Sequence, residues 1–99
     1  MNQFEFGNKI KKLRQKKLLT QQDLVKKMEN VFTVSYLSRI ESGIEIPRPR
    51  IIHLLAHVLE TNVDELVKLA EDIKLYRKQD TLRRRYNLEM ENEVDIHKR

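Results

Sequence analysis

Between Thr20 and Gly43 the chain reads TQQDLVKKMENVFTVSYLSRIESG, and this stretch constrains the fold more than any other. It reads as two short helices joined by a tight turn. The first opens at Thr20, whose hydroxyl is placed to accept from the amide of Asp23, and it sets Leu24, Val25 and Met28 at helical spacing. It stops near Asn30. The second opens at Thr33, turns Leu37 and Ile40 inward, and ends at Gly43, the residue best able to adopt a left-handed closing conformation. Val34, Ser35, Ser38 and Arg39 are left on the outer face.

A helix whose outer face carries short polar groups, one apolar group and an arginine suits the floor of the DNA major groove. The run from Leu19 to Glu41, with LTQ at its head and YLSRIESG closing the second helix, resembles the helix-turn-helix of Cro and the phage repressors, the xenobiotic-response-element family. The resemblance extends from about Phe6 to about Ala70, because Pro47 to Ala56 and Asn62 to Leu66 (NVDEL) fall where that family places its fourth and fifth helices. It implies an all-α, five-helix domain that binds double-stranded DNA. It also implies an arginine–glutamate pair at Arg14 and Glu41, and a dimer contact near the fourth helix and the loop after it. One departure is the turn from Glu29 to Phe32, which is longer than the family norm and bears on the tilt of the second helix.

Composition agrees with such a domain. A chain of 99 residues holds one domain with a terminal extension. The net charge of +5 favours a polyanionic partner, nucleic acid or membrane surface. The absence of cysteine excludes disulfides and thiolate metal sites and suits a reducing cytoplasm. No apolar run approaches the roughly 18 residues of a membrane span, and no signal peptide opens the sequence, so a cytoplasmic protein without a membrane partner is expected. With only 2 glycines, 2 prolines and 35% charged residues, the chain should be mostly helical.

In chain order, Phe4 and Phe6 alternate with polar neighbours, which suggests a short extended arm from Met1 to Phe6. A first helix follows from about Gly7 to Lys17, with Phe6, Ile10, Leu13 and Arg14 as its inward stripe. An arginine on an apolar stripe calls for an anionic partner, and Glu41, beside Leu37 and Ile40, is the candidate. The outer face carries Lys9, Lys11, Lys12, Lys16 and Lys17 without one acid. After Gly43 comes IEIPRPR, where Pro49 suits the first position of a fourth helix running to about Leu59. Arg48 stands at the cap, and an arginine cannot accept from helix amides. Arg48 and Arg50 at this N-terminus therefore call for an anion, with a DNA phosphate the natural one.

The fourth helix has a core stripe, Ile52, Leu55, Ala56 and Leu59, and a second one, Ile51, Leu54 and Val58, on an adjoining face. A small domain seldom needs both, so a second copy or the tail should cover the second stripe. His53, His57 and Glu60 share a face and are zinc-ligand types, but three ligands on one short helix rarely close a site, and solvated or interface histidines are the better reading. Neither a metal nor a cofactor is expected. No glycine-rich phosphate loop and no nucleophile with a matching base stands elsewhere, which argues against an enzyme.

The fifth helix begins at Asn62, with Glu65 completing a capping-box pattern, and buries Val63, Leu66, Leu69, Ala70 and, at its far end, Ile73. These readings divide the chain into a DNA-binding domain, residues 1–73, and a charged extension, residues 74–99. The extension is basic from Lys74 to Arg85 and acidic from Glu89 to Asp95. Leu88, Met90, Val94 and Ile96 alternate with acids, as in a half-buried strand, whereas Leu82, Tyr86, Met90 and Val94 recur every four residues, as in a helix. Helix through about Tyr86 and a short strand or frayed segment afterwards is the expectation; a solvated, disordered tail is the alternative.

The expected function is sequence-specific binding of double-stranded DNA by a homodimeric transcriptional repressor. Gln21, Val34, Ser35, Ser38 and Arg39 are assigned to base edges. Thr20, Thr33, Tyr36, Arg48 and Arg50 are assigned to phosphates, and Ile51, Leu54 and Val58, with the segment after Ile73, to the dimer contact. A different class is an antitoxin-like chain whose extension holds a second protein while the DNA-binding domain serves autoregulation. RNA binding through the basic extension is a third, for which the stacking aromatics are sparse.

Overall fold

The computed structural model describes residues 3–97, with side chains through residue 88. Five helices follow in order: α1 (Glu5–Lys16), α2 (Gln21–Lys27), α3 (Val34–Glu41), α4 (Pro49–Val58) and α5 (Val63–His97). No strand occurs among the described residues. The apolar spacing of each helix feeds one core, in which Phe6 and Ile10 of α1 meet Leu24, Leu37, Ile40, Leu55, Leu66 and Ile73. α3 packs against α1 and α2, while α5 packs against α1 and α4, so α1 is the element that joins the two halves.

Several expectations are corrected. The N-terminal arm is absent from the described residues: Phe4 stands at the N-cap of α1 and Phe6 lies inside the helix, fully buried. Burial of that ring in the common core outweighs the alternating pattern that suggested an extended arm. α2 ends at Lys27, short of Asn30, because Glu29 and Asn30 both take left-handed conformations (φ 55° and 57°). The terminal strand does not form; α5 continues through His97. A single strand there would have no edge to pair with, whereas a helix satisfies its own amides and carbonyls and suits a glutamate-rich sequence. The second stripe of α4 is not bare either. Ile51, Leu54 and Val58 are half-buried and pack against the core.

The first four helices close in the same way. One residue past the cap turns left-handed, and the amide after it returns to a carbonyl of the last turn: Leu19 to Arg14, Asn30 to Val25, Ile44 to Arg39 and Thr61 to Ala56. Only the third closure uses glycine, Gly43 at φ 84°; the others place Leu18, Glu29 and Glu60 at φ 60°, 55° and 54°. Leu18 is the extreme case, since its side chain is 91% exposed and gains almost no burial for its strain. Leu18→Gly should therefore stabilise the fold by about 0.5–1 kcal/mol, the relief of the left-handed strain less the extra freedom of glycine in the unfolded chain. A urea midpoint unchanged or lowered in this variant would mean that the leucine is held by a contact not evident from its exposure.

Past Ile73 the character of α5 changes. Every described side chain from Thr81 to Leu88 is exposed, and the molecule measures 63 × 25 × 21 Å as a result. The helix crosses the expected 73/74 domain boundary without interruption.

Candidate nucleic-acid interface

Two helix N-termini set the interface, and a threonine organises each. At α2 the Thr20 hydroxyl accepts from the Asp23 amide at 3.0 Å, while the Thr20 amide donates to Asp23 Oδ2 at 2.9 Å. That reciprocal cap holds the Asp23 carboxyl below its usual range, chiefly through the bond from the Thr20 amide. Its contribution to α2 is present above the ordinary carboxylate range and fades as pH falls through the lowered value. At α3 the Thr33 hydroxyl accepts from the Tyr36 amide at 3.0 Å. In both caps the hydroxyl oxygen is used as acceptor, which leaves its O–H to donate to an incoming anion. Each threonine also stands where helix amides and the dipole favour negative charge.

The outer face of α3 presents Ser35, Ser38 and Arg39 to solvent, with Val34 and Tyr36 half-buried beside them. Arg39 is already oriented. Its Nη1 donates to Ser35 Oγ at 3.3 Å, its guanidinium lies 5.5 Å from the centre of the Tyr36 ring, and its Nε is 3.9 Å from Glu45 Oε1. Tyr36 in turn leans on the buried Phe32 ring, 5.6 Å away and tilted. Burial, reinforced by the Glu45 carboxylate, raises the Tyr36 phenol above its usual value, so it stays protonated at neutral pH and able to donate. Glu45 was not foreseen in the sequence. It lies in the loop after α3 and balances the charge of Arg39 in the free protein.

Behind this face sits a buried polar junction. Arg14 Nε and Nη2 donate to Glu41 Oε2 and Oε1 at 2.7 and 2.9 Å, a two-pronged pair, and Arg14 Nη1 donates to the Leu19 carbonyl at 2.8 Å. The two residues are only 8% and 7% exposed. Gln21 Nε2 donates to the same Glu41 Oε1 at 3.2 Å. Gln21 is thus tied to the junction as well as standing at the head of α2, a second role that its position in the sequence did not reveal. The junction connects α1, the α1–α2 turn, the N-terminus of α2 and the C-terminus of α3.

Arg48 and Arg50 are exposed at the start of α4, where Arg48 makes no side-chain cap and the first turn contains no acid. The lysine face of α1 is less uniform than its own sequence suggests. Lys9 meets Glu65 of α5 at 3.5 Å, and Lys17 meets Glu60 after α4 at 3.0 Å, so acids distant in sequence offset two of the lysines. Glu60 is thus held by Lys17. Among the described residues no group of three or more His, Cys, Asp or Glu side chains gathers to hold a metal ion, and no helix is long and apolar enough to cross a membrane.

Two further supports escaped the sequence reading. Gly7 of α1 lies against the last turn of α3, where an added Cβ would stand 2.3 Å from the Ile40 carbonyl oxygen and 2.7 Å from that of Glu41. A glycine inside a helical pattern is a signal of such close approach. Arg77 of α5 donates to the Gly43 carbonyl just beyond α3. Nothing in the spacing of Arg77 distinguishes it from its basic neighbours.

Searched against curated proteins, the chain finds no match. A family model does match: residues 10–66 fit the helix-turn-helix family of Cro/C1 type, more than half of the chain, from the middle of α1 to the first turn of α5. With the capped helix pair and the exposed face of α3 in the arrangement just described, the chain belongs to the Cro/C1-type, xenobiotic-response-element family of helix-turn-helix DNA-binding transcription regulators.

Proposed function

We propose that this regulator is a sequence-specific repressor that acts in the cytoplasm as a homodimer on a symmetric operator. The observation that carries the reading is the outer face of α3, with exposed Ser35, Ser38 and Arg39 flanked by two threonine-capped helix N-termini. In this reading Val34 packs on a thymine methyl group, Arg39 forks onto guanine, and Ser35, Ser38 and Gln21 reach neighbouring base edges. Thr20, Thr33, Tyr36, Arg48 and Arg50 hold phosphates and set the register. One α3 reads only a few base pairs, so specificity requires two copies with half-sites about 34 Å apart. Ile51, Leu54 and Val58, or α5 beyond Ile73, supply the apolar surface for that contact. Repression needs nothing beyond occupancy, because a bound dimer excludes polymerase from the sites it covers.

Selection of bound fragments from random duplex DNA tests the reading directly, since a symmetric dimer returns a palindrome and a monomer returns a single short site. Placed before a reporter gene, the selected site should lower expression when the protein is present; raised expression would reverse the regulatory sign. Arg39→Ala should cost about 1–3 kcal/mol of affinity and relax preference at one base pair per half-site. Equal weakening on all sequences would reassign Arg39 to the backbone. Neutralising Arg48 and Arg50 together should reduce the slope of log affinity against log salt by about one unit per lost contact and leave the preferred sequence intact. A changed preference with an unchanged slope would remove both from the phosphate contacts.

The exposed run of α5 from Thr81 to Leu88 also fits the antitoxin-like alternative, in which a second protein covers it. A chain that stays monomeric until that partner is supplied would favour this second reading.

A further inference from the structure

The projecting half of α5 carries an apolar line that the domain does not cover. Leu75, Leu82 and Tyr86 are 55%, 52% and 60% exposed. With Gln79 they are spaced by four, three and four residues, and from Leu82 the sequence carries the line on in steps of four through Tyr86, Met90 and Val94. A helix projecting alone into water gains no tertiary packing, and such packing supplies most of a helix's stability in proteins. Local support here is limited to contacts such as Arg84 with Asp80 at 3.1 Å. A partner is therefore needed.

Charge along the same rod says which partner and in which direction. From Lys74 to Arg85 the sequence has Lys74, Arg77, Lys78, Arg83, Arg84 and Arg85 against the single acid Asp80. From 89 to 95 it has Glu89, Glu91, Glu93 and Asp95 and no cation. Two copies laid parallel and in register would stack arginines on arginines and glutamates on glutamates. Two copies laid antiparallel and crossing near Leu88 place Arg83, Arg84 and Arg85 of each along the segment from Glu91 to Glu93 of the other, and one sequence supplies both halves of the match.

We propose that α5 pairs antiparallel with α5 of a second copy, about a twofold axis at the level of Leu88. The inference rests on the homodimer reading and assigns its contact to α5 in place of Ile51, Leu54 and Val58, which the core already half-covers. At 1.5 Å per residue, Ile73 lies roughly 22 Å from the axis, so the two DNA-binding domains are held at opposite ends of a rod with their Ile73 levels about 45 Å apart.

The chain contains no cysteine, so single nitroxide labels can be attached to the full-length protein through Lys78→Cys or Asn87→Cys, both at exposed positions. An antiparallel pair should separate the Lys78 labels by about 30 Å and bring the Asn87 labels within about 15 Å of each other. Charge reversal supplies an independent readout. A chain with Arg83→Glu, Arg84→Glu and Arg85→Glu should self-associate at least about tenfold more weakly, and mixing it with a chain carrying Glu89→Lys, Glu91→Lys and Glu93→Lys should restore pairing. Equal, short separations at both label positions would show a parallel pair and overturn the proposal, as would failure of the mixed chains to associate. A dimer that survives deletion of residues 79–99 would place the contact on α4, overturning this inference while leaving the homodimer intact. A full-length chain that remains monomeric at high micromolar concentration, free and on operator DNA, would overturn both.

Discussion

Arg14→Met should lower the unfolding free energy by about 3–5 kcal/mol, the usual cost of removing one partner from a buried ion pair. The loss has a specific origin. Glu41 is 7% exposed and receives both prongs of the guanidinium, so without Arg14 it keeps only the 3.2 Å bond from Gln21 while remaining cut off from water. The Leu19 carbonyl loses its donor in the same step. Desolvation, and not the lost attraction alone, sets the size of the effect, and this predicts the behaviour of the double variant. Arg14→Met combined with Glu41→Leu removes both charges and should recover much of the lost stability, because an apolar pair of similar volume needs no compensation at that site. Urea unfolding of the parent, both single variants and the double variant measures this. A double variant as unstable as the sum of the singles would show that the two residues act independently and that the pair does not hold the junction. Because the junction also carries Gln21, the single variants should weaken operator binding beyond their effect on the folded fraction.

How much of this was legible in the sequence depends on whether the deciding interaction is local. The caps at Thr20 and Thr33, the closing turn at Gly43, and the start of α4 at Pro49 all rest on residues within a few positions of each other, and each could be read directly. The core stripe of each helix was equally plain, since periodicity alone marks it. The expected arm at Phe4 and Phe6 shows the limit: two alternating aromatics look extended, but Phe6 lies within α1 and is fully buried in a core that residues distant in sequence complete. The tail shows the opposite limit. Its alternating acids matched a strand, but a strand needs a neighbour and a helix does not. At the interface, the identity of the exposed face on α3 was readable, whereas the Glu45 contact to Arg39, the Gln21 bond to Glu41 and the acids opposite Lys9 and Lys17 were not. Those depend on how α2 sets against the end of α3 and on where the loop after α3, the turn after α4 and the first turn of α5 come to rest.

Gly7→Ala is expected to destabilise the protein by about 3 kcal/mol, against the ordinary sign for a glycine within a helix. Helix propensity alone favours alanine by about 1 kcal/mol, and a glycine at an open position would follow that rule. Here the added Cβ would stand 2.3 Å and 2.7 Å from two backbone carbonyl oxygens at the end of α3, Ile40 and Glu41. Neither is the tip of a flexible side chain, so relief requires α1 and α3 to move apart. That movement lengthens the Arg14–Glu41 contacts, which lie on the same pair of helices, and opens the space around Phe6 and Ile40, both fully buried. The sign of the change is therefore the test. If Gly7→Ala raises the urea midpoint, the close approach of α1 to α3 is wrong and the orientation of α3 with it. If it lowers the midpoint, operator affinity measured where the variant is still folded should fall as well, because α3 is displaced as a body while Ser35, Ser38 and Arg39 on its outer face are chemically unchanged.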